Sequence, residues 1–184
     1  MNRNFEKTLL AVILIAVACF LYFGWSRTQS PNGNGAVAQR ISCLNNLKQI
    51  GLAFRIWSGD HNNQYPFNVS TNDGGTRELS AKDSDGFAHN AAIQFQVMSG
   101  PEELGTPILL VCPHDHSKKP AATFASLKPE NVTYRIHIGT NVNEDHAKEI
   151  LVVCPIDGNT LYCDGTVVSR KSGDERSGHA MHVP

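Results

Sequence analysis

Between Thr8 and Trp25 the chain reads TLLAVILIAVACFLYFGW, eighteen residues without a charge, and this run constrains the fold more than any other feature. At ~1.5 Å per residue a helix of that length covers ~27 Å, close to the roughly 30 Å hydrocarbon layer of a bilayer. Lipid offers no hydrogen bonds, so every backbone group must be satisfied within the segment; a helix does this and an open strand does not. The run therefore predicts a single membrane-spanning helix over residues 8–25 that takes membrane lipid as its partner. Tyr22 and Trp25 suit the far interface, and Arg3 and Lys7 with the free amine outnumber Arg27, which favours a cytoplasmic N-terminus over residues 1–7. Three other fates compete with a retained anchor. A core helix this uniformly apolar needs a larger protein around it. Ala16, Val17 and Ala18 form a small-x-small cleavage site, and Ala18-Cys19 loosely resembles a lipoprotein site. Cleavage at either place would leave Phe20, Leu21, Tyr22, Phe23 and Trp25 as an exposed apolar terminus.

Residues 26–35, SRTQSPNGNG, are turn formers and read as a flexible linker. Beyond them the composition is that of a globular domain. The whole chain is 41% hydrophobic and 18% charged, and sixteen basic against seventeen acidic residues leave a formal charge of −1. That balance gives no positive field for a polyphosphate, so no nucleic-acid partner is expected. Residues 36–184 are long enough to bury a single core without a disulfide or metal; within them residues 36–170 read as the domain and residues 171–184, with His179 and His182, as a polar tail.

Periodicity predicts a helix over Ala36–Trp57, with Ile41, Leu44, Leu47, Gly51 and Phe54 along one stripe and Cys43, Ile50 and Trp57 beside it. Arg40, Asn45, Lys48 and Arg55 take the other side. Of this set, Ile41, Leu44, Leu47, Phe54 and Trp57 are expected to be buried against strands. Ser58–Asn90 is rich in Asn, Asp, Gly and Ser and reads as a long excursion hiding short elements, including an edge strand at Thr76–Leu79. Ala88–Met98 carries a modest helical pattern. The second half reads as strands at Ile108–Cys112, Val132–His137, Glu149–Cys154, Thr160–Cys163 and Thr166–Ser169. Asp157-Gly158 and Asp164-Gly165 supply hairpin turns, so the C-terminal region is expected to be an antiparallel meander. ILLVCPHD from Ile108 and ILVVCPID from Ile150 share six of eight positions and read as two buried strands that each stop at a proline. The fold class is thus α+β: a transmembrane helix, a linker, then a long amphipathic helix on an antiparallel sheet.

Outside the membrane run the cysteines are Cys43, Cys112, Cys154 and Cys163, which allow three complete pairings. If Cys112 and Cys154 close antiparallel neighbouring strands, their thiols lie roughly 15 Å apart, beyond disulfide reach. A hairpin centred on Asp157-Gly158 sets Cys154 opposite Leu161 and makes Cys163 a strained diagonal partner. Buried free thiols are the reading this leaves. Cys112, His114, Asp115 and His116 are four possible metal ligands in five residues, and a metalloenzyme using Cys112, His114 and His116 is the enzymatic alternative. No second pair of the usual spacing completes such a site, so no metal site is assigned. Asp157, Asn159 and Asp164 offer oxygens to calcium, although both aspartates are explained by their turns. No nucleophile elbow, P-loop or dinucleotide fingerprint is present. No catalytic or cofactor-binding residue is assigned, and the chain is read as non-enzymatic.

RISCLNNLKQIGLAFRIWSGDHNNQYPFN, Arg40 to Asn68, resembles the segment following the membrane helix in bacterial type II secretion pseudopilins and related pilin-like proteins. ILVVCPIDGNTLYCDGTVV, Ile150 to Val168, is similar to their terminal hairpin, where a His, nine residues and Asp-Gly often recur; here Cys154 takes the His position before Asp164-Gly165. The resemblance implies a pilin-like domain held outside the cytoplasm by an inner-membrane anchor, facing the periplasm. Other pseudopilins or subunits of the secretion machinery are its implied partners, and its implied role is assembly rather than catalysis. The N-terminal processing site is degenerate. Asn4 stands before Phe5 where the family has Gly, and Leu9 occupies the position of the assembly glutamate. A tethered binding module on the same fold, with no role in secretion, is the alternative.

Overall fold

A computed structural model of the chain describes Cys19, residues 32–100 and residues 102–169. The expected segments 1–7 and 8–25 apart from Cys19, the linker residues 26–31 and the tail 171–184 lie outside the described residues. Among the described residues no helix is long and apolar enough to cross a membrane. The chain divides into two units after Val37, and the buried core belongs to the second.

Helix α1 spans Asn32–Gly59, so the last four residues of the expected linker are helical. Cys43, Leu47, Ile50, Phe54 and Trp57 recur at i, i+4 and i+7 spacings and are buried, as are Gly51 and Ala53. Ile41 is the exception to the expected stripe: it is 52% exposed, because at ~100° per residue it lies on the side of α1 away from Cys43. Leu44 is half-buried.

The sheet is an antiparallel meander of four strands in the order β1-β2-β3-β4, formed by Arg135–Ile136, Ile150–Val153, Thr160–Tyr162 and Val167–Val168. Each is shorter than its sequence run. Val152 pairs with Leu161 and Val153 with Thr160, and a bulge separates them from the Ile150–Tyr162 pair. Cys154 therefore faces Asn159, whose carbonyl accepts from the Cys154 amide at 2.9 Å, and does not face Leu161. Gly158 and Gly165 adopt positive φ, but their aspartates do not, so neither turn is the two-residue type that needs positive φ at both central positions. The helix meets the sheet at Gly51, where an added Cβ would come within 2.8 Å of Leu161 Cδ1.

Two further segments depart from the expected strands. Ile108–Cys112 belongs to a 3-10 turn over Pro107–Leu110 that runs into extended Val111. Pro107 at its first position and Thr106, whose hydroxyl accepts from the Ile108 amide, select the turn over a strand. The expected edge strand Thr76–Leu79 is also a 3-10 turn, Arg77–Leu79. It sits in an excursion with two more such turns, Pro66–Asn68 and Thr71–Asp73. Of Ala88–Met98 only Ala92–Val97 is helical, here named α2. The excursion returns to the sheet at Phe87, which bridges His137 beside β1. Phe54 sits among Tyr65, Phe95 and Phe67 at ring-centroid distances of 5.2, 6.3 and 6.5 Å, joining α1, the excursion and α2 in one core.

Candidate metal centre

Cys43 lies on the buried face of α1, Cys112 follows the 3-10 turn and Cys154 directly follows β2. The fold brings these three to one point with Asp157: their Sγ atoms and a carboxylate oxygen all lie within 4.8 Å of one another. The separation of roughly 15 Å that antiparallel neighbouring strands would impose on Cys112 and Cys154 does not arise, because the segment before Cys112 is not a strand running beside β2. Both Cys-Pro-x-Asp runs are turns. The Asp115 amide donates to the Cys112 carbonyl at 2.8 Å, and the Gly158 amide does the same to the Cys154 carbonyl at 2.8 Å. Each proline thus opens a turn that leaves the preceding cysteine pointing inward.

The three thiols are 0%, 1% and 0% exposed in chain order, so water does not screen the sulfurs. The Asn159 side-chain amide donates to Cys43 Sγ at 3.3 Å, and the Asp157 backbone amide donates to Cys154 Sγ at 3.4 Å. The neighbouring Cys112 and Cys43 thiols hold the Cys154 thiol below the ordinary thiol value, against the opposing effect of burial. The neighbouring Cys154 and Cys43 sulfurs, together with burial, push the Cys112 thiol above the ordinary thiol value. Asp157 divides its two oxygens. Oδ2 accepts from Cys112 Sγ at 3.3 Å, while Oδ1 lies 2.7 Å from His114 Nδ1 at the edge of the site. The Asn159 side-chain carbonyl oxygen is buried with no hydrogen-bond partner among the described residues.

The set Cys112, His114 and His116 of the enzymatic alternative is therefore only partly assembled. Cys112 is at the centre, His114 reaches it through Asp157, and His116 is exposed and not part of the cluster. Asp115 is engaged elsewhere: it accepts from Ser117 Oγ at 2.6 Å and Thr133 Oγ1 at 2.7 Å. Burial works to raise its pKa, but these bonds outweigh it and hold the carboxyl below the usual range. The calcium set is dispersed too. Asp157 serves the thiols, the Asn159 amide serves Cys43, and Asp164 Oδ1 accepts from the Thr166 amide at 2.7 Å. Cys163 lies past β3, where its amide donates to the Glu149 carbonyl, so Cys154 and Cys163 occupy opposite ends of the hairpin. Burial pushes the Cys163 thiol up to about 12.

Cys43 was absent from every ligand set read from the sequence. Its signal is a cysteine on the covered face of α1 combined with a Cys-Pro-x-Asp run occurring twice. Three soft sulfurs and a carboxylate at this spacing can hold a cation, and two of the thiols can oxidise to a disulfide. Comparison of the chain with protein-family models, with curated proteins and with solved structures finds no match.

Proposed function

We propose that the protein is a non-enzymatic, membrane-anchored component of pseudopilin type, with its α+β domain outside the cytoplasm and a role in assembling a secretion apparatus. The observation that carries this reading is the pairing of an uncharged eighteen-residue run with a long helix whose buried face packs on a C-terminal antiparallel meander. Two features support it. The thiol cluster is enclosed, which suits a structural centre and not one that admits substrate. Ile41 and Leu52, 52% and 58% exposed on α1, give the helix apolar surface to set against a neighbouring subunit.

The test is fractionation and complementation in the host. Full-length protein is expected in the carbonate-resistant inner membrane, and deleting its gene is expected to block export of the apparatus's cargo. Residues 36–184 fused to a cleavable export signal should be released to the periplasm and fail to restore export. Full export by that untethered form, with a periplasmic ligand still bound, would replace this reading with a binding module on the same fold.

A further inference from the structure

We propose that Cys43, Cys112, Cys154 and Asp157 form a structural site for a soft divalent cation, Zn2+, that fastens α1 to the two Cys-Pro-x-Asp turns. The site rests on the geometry of the cluster and is independent of membrane anchoring or secretion. Zinc bonds of ~2.3 Å to sulfur put the corners of a tetrahedron ~3.8 Å apart, and four donor atoms mutually within 4.8 Å need only a slight contraction to meet that. The donor set is soft and anionic, which selects zinc over calcium or magnesium. A disulfide is the competing use of close thiols, but it joins only two of the three sulfurs and makes no use of the Asp157 carboxylate beside them. A cation uses all four.

The surroundings are those of a metal-bound thiolate set. Amide N–H groups of Asn159 and Asp157 point at Cys43 and Cys154, a placement that favours charged sulfur over neutral thiol. His114 holds Oδ1 of Asp157 at 2.7 Å and leaves Oδ2, on the Cys112 side, to face the centre. An outer partner that orients a ligand in this way is part of a working site. On binding, the remaining thiol protons leave to solvent and the four donors close the coordination sphere, with no position for substrate.

The test is a cobalt titration of the metal-stripped, reduced full-length chain, followed by competition with zinc. One equivalent of Co2+ is expected to give the visible absorption and sulfur-to-metal charge-transfer band of a tetrahedral thiolate centre, and Zn2+ should abolish both. Cys43→Ser, Cys112→Ser and Cys154→Ser should each lose the 1:1 spectrum, while Cys163→Ser keeps it. Asp157→Asn preserves volume and His114→Ala lies at the edge of the site, so these two report on the site even if the cysteine variants misfold. The first is expected to change the d–d bands, and the second to weaken binding about 10–100-fold. A cobalt spectrum without sulfur charge transfer would overturn the proposal. So would unchanged bands in Asp157→Asn, or a chain isolated from its host two hydrogens lighter through a disulfide among these cysteines.

Discussion

Phe54 has no exposed surface and packs among three aromatic rings from two other segments, the excursion and α2, so no single neighbour can collapse into the space it would leave. Phe54→Ala is expected to cost about 3–5 kcal/mol, read as a lower urea midpoint with an unchanged slope. Ile41→Ala, on the exposed side of the same helix, should stay within about 0.5 kcal/mol. Asp115 sets a different kind of residue-scale constraint. Its carboxylate ties Ser117 to Thr133, and Thr133 Oγ1 in turn accepts from the Cys112 amide at 3.1 Å, so it holds the turn that aims Cys112. Its folded pKa is depressed, so its contribution is complete above the unfolded carboxylate value of ~3.9 and is lost as pH falls below that through the folded value. Asp115→Asn should flatten that part of the acid limb of a stability–pH profile, measured at fixed ionic strength. An unchanged acid limb would mean that the carboxylate's charge is not what the turn uses.

At the scale of elements, the excursion is joined to the sheet by few bonds. The Ala88 amide donates to the Ile136 carbonyl at 2.8 Å and the Ile138 amide to the Gly86 carbonyl at 2.9 Å, extending the ladder past β1. Arg135 clamps this join: it meets Asp83 at 2.6 Å and lies 4.1 Å from the centre of the Phe87 ring. Both charges are partly exposed, so Arg135→Ala should cost no more than about 1–2 kcal/mol globally. Locally it should speed hydrogen exchange at the Ala88 and Ile138 amides while leaving the Leu161 amide, within the hairpin, unchanged; equal acceleration at all three would show that the join does not open separately. The same elements show what the sequence could carry. α1 and the hairpins were legible because helical periodicity and Asp-Gly turns are local signals. Ile108–Cys112 was not: ILLV satisfies a strand and a tight helical turn equally, and the deciding residues, Thr106 and Pro107, lie outside the apolar run. That one misreading separated Cys112 from Cys154 and hid the cluster. The echo of the two Cys-Pro-x-Asp runs is plain in the sequence, but an echo states likeness and not proximity, and only tertiary packing adds Cys43.

Across the whole molecule, the cluster joins chain segments that are distant in sequence. Cys112 and Asp157 are 45 positions apart, and Asn159 contacts Cys43 across 116. A cation held there would bind the native state and not the unfolded chain, and would add stability as RT ln(1 + [M]/Kd), about 4 kcal/mol at a thousandfold excess over Kd. Full-length protein stripped with a chelator under reducing conditions should therefore melt at a lower temperature, and its Tm should climb with each tenfold rise in free Zn2+. Magnesium or calcium at the same activity should leave Tm where it was. Because α1 and the sheet share one core through Phe54, Gly51 and Leu161, the stripped protein should still unfold in a single transition, at reduced Tm. Loss of the α1 helical signal ahead of the sheet's exchange protection would instead mean that apolar packing alone does not hold the helix and that the cation is its main fastening. A Tm indifferent to zinc over that range would leave the four side chains as buried thiols and a hydrogen-bonded carboxylate, with the stability of the domain resting on the aromatic core.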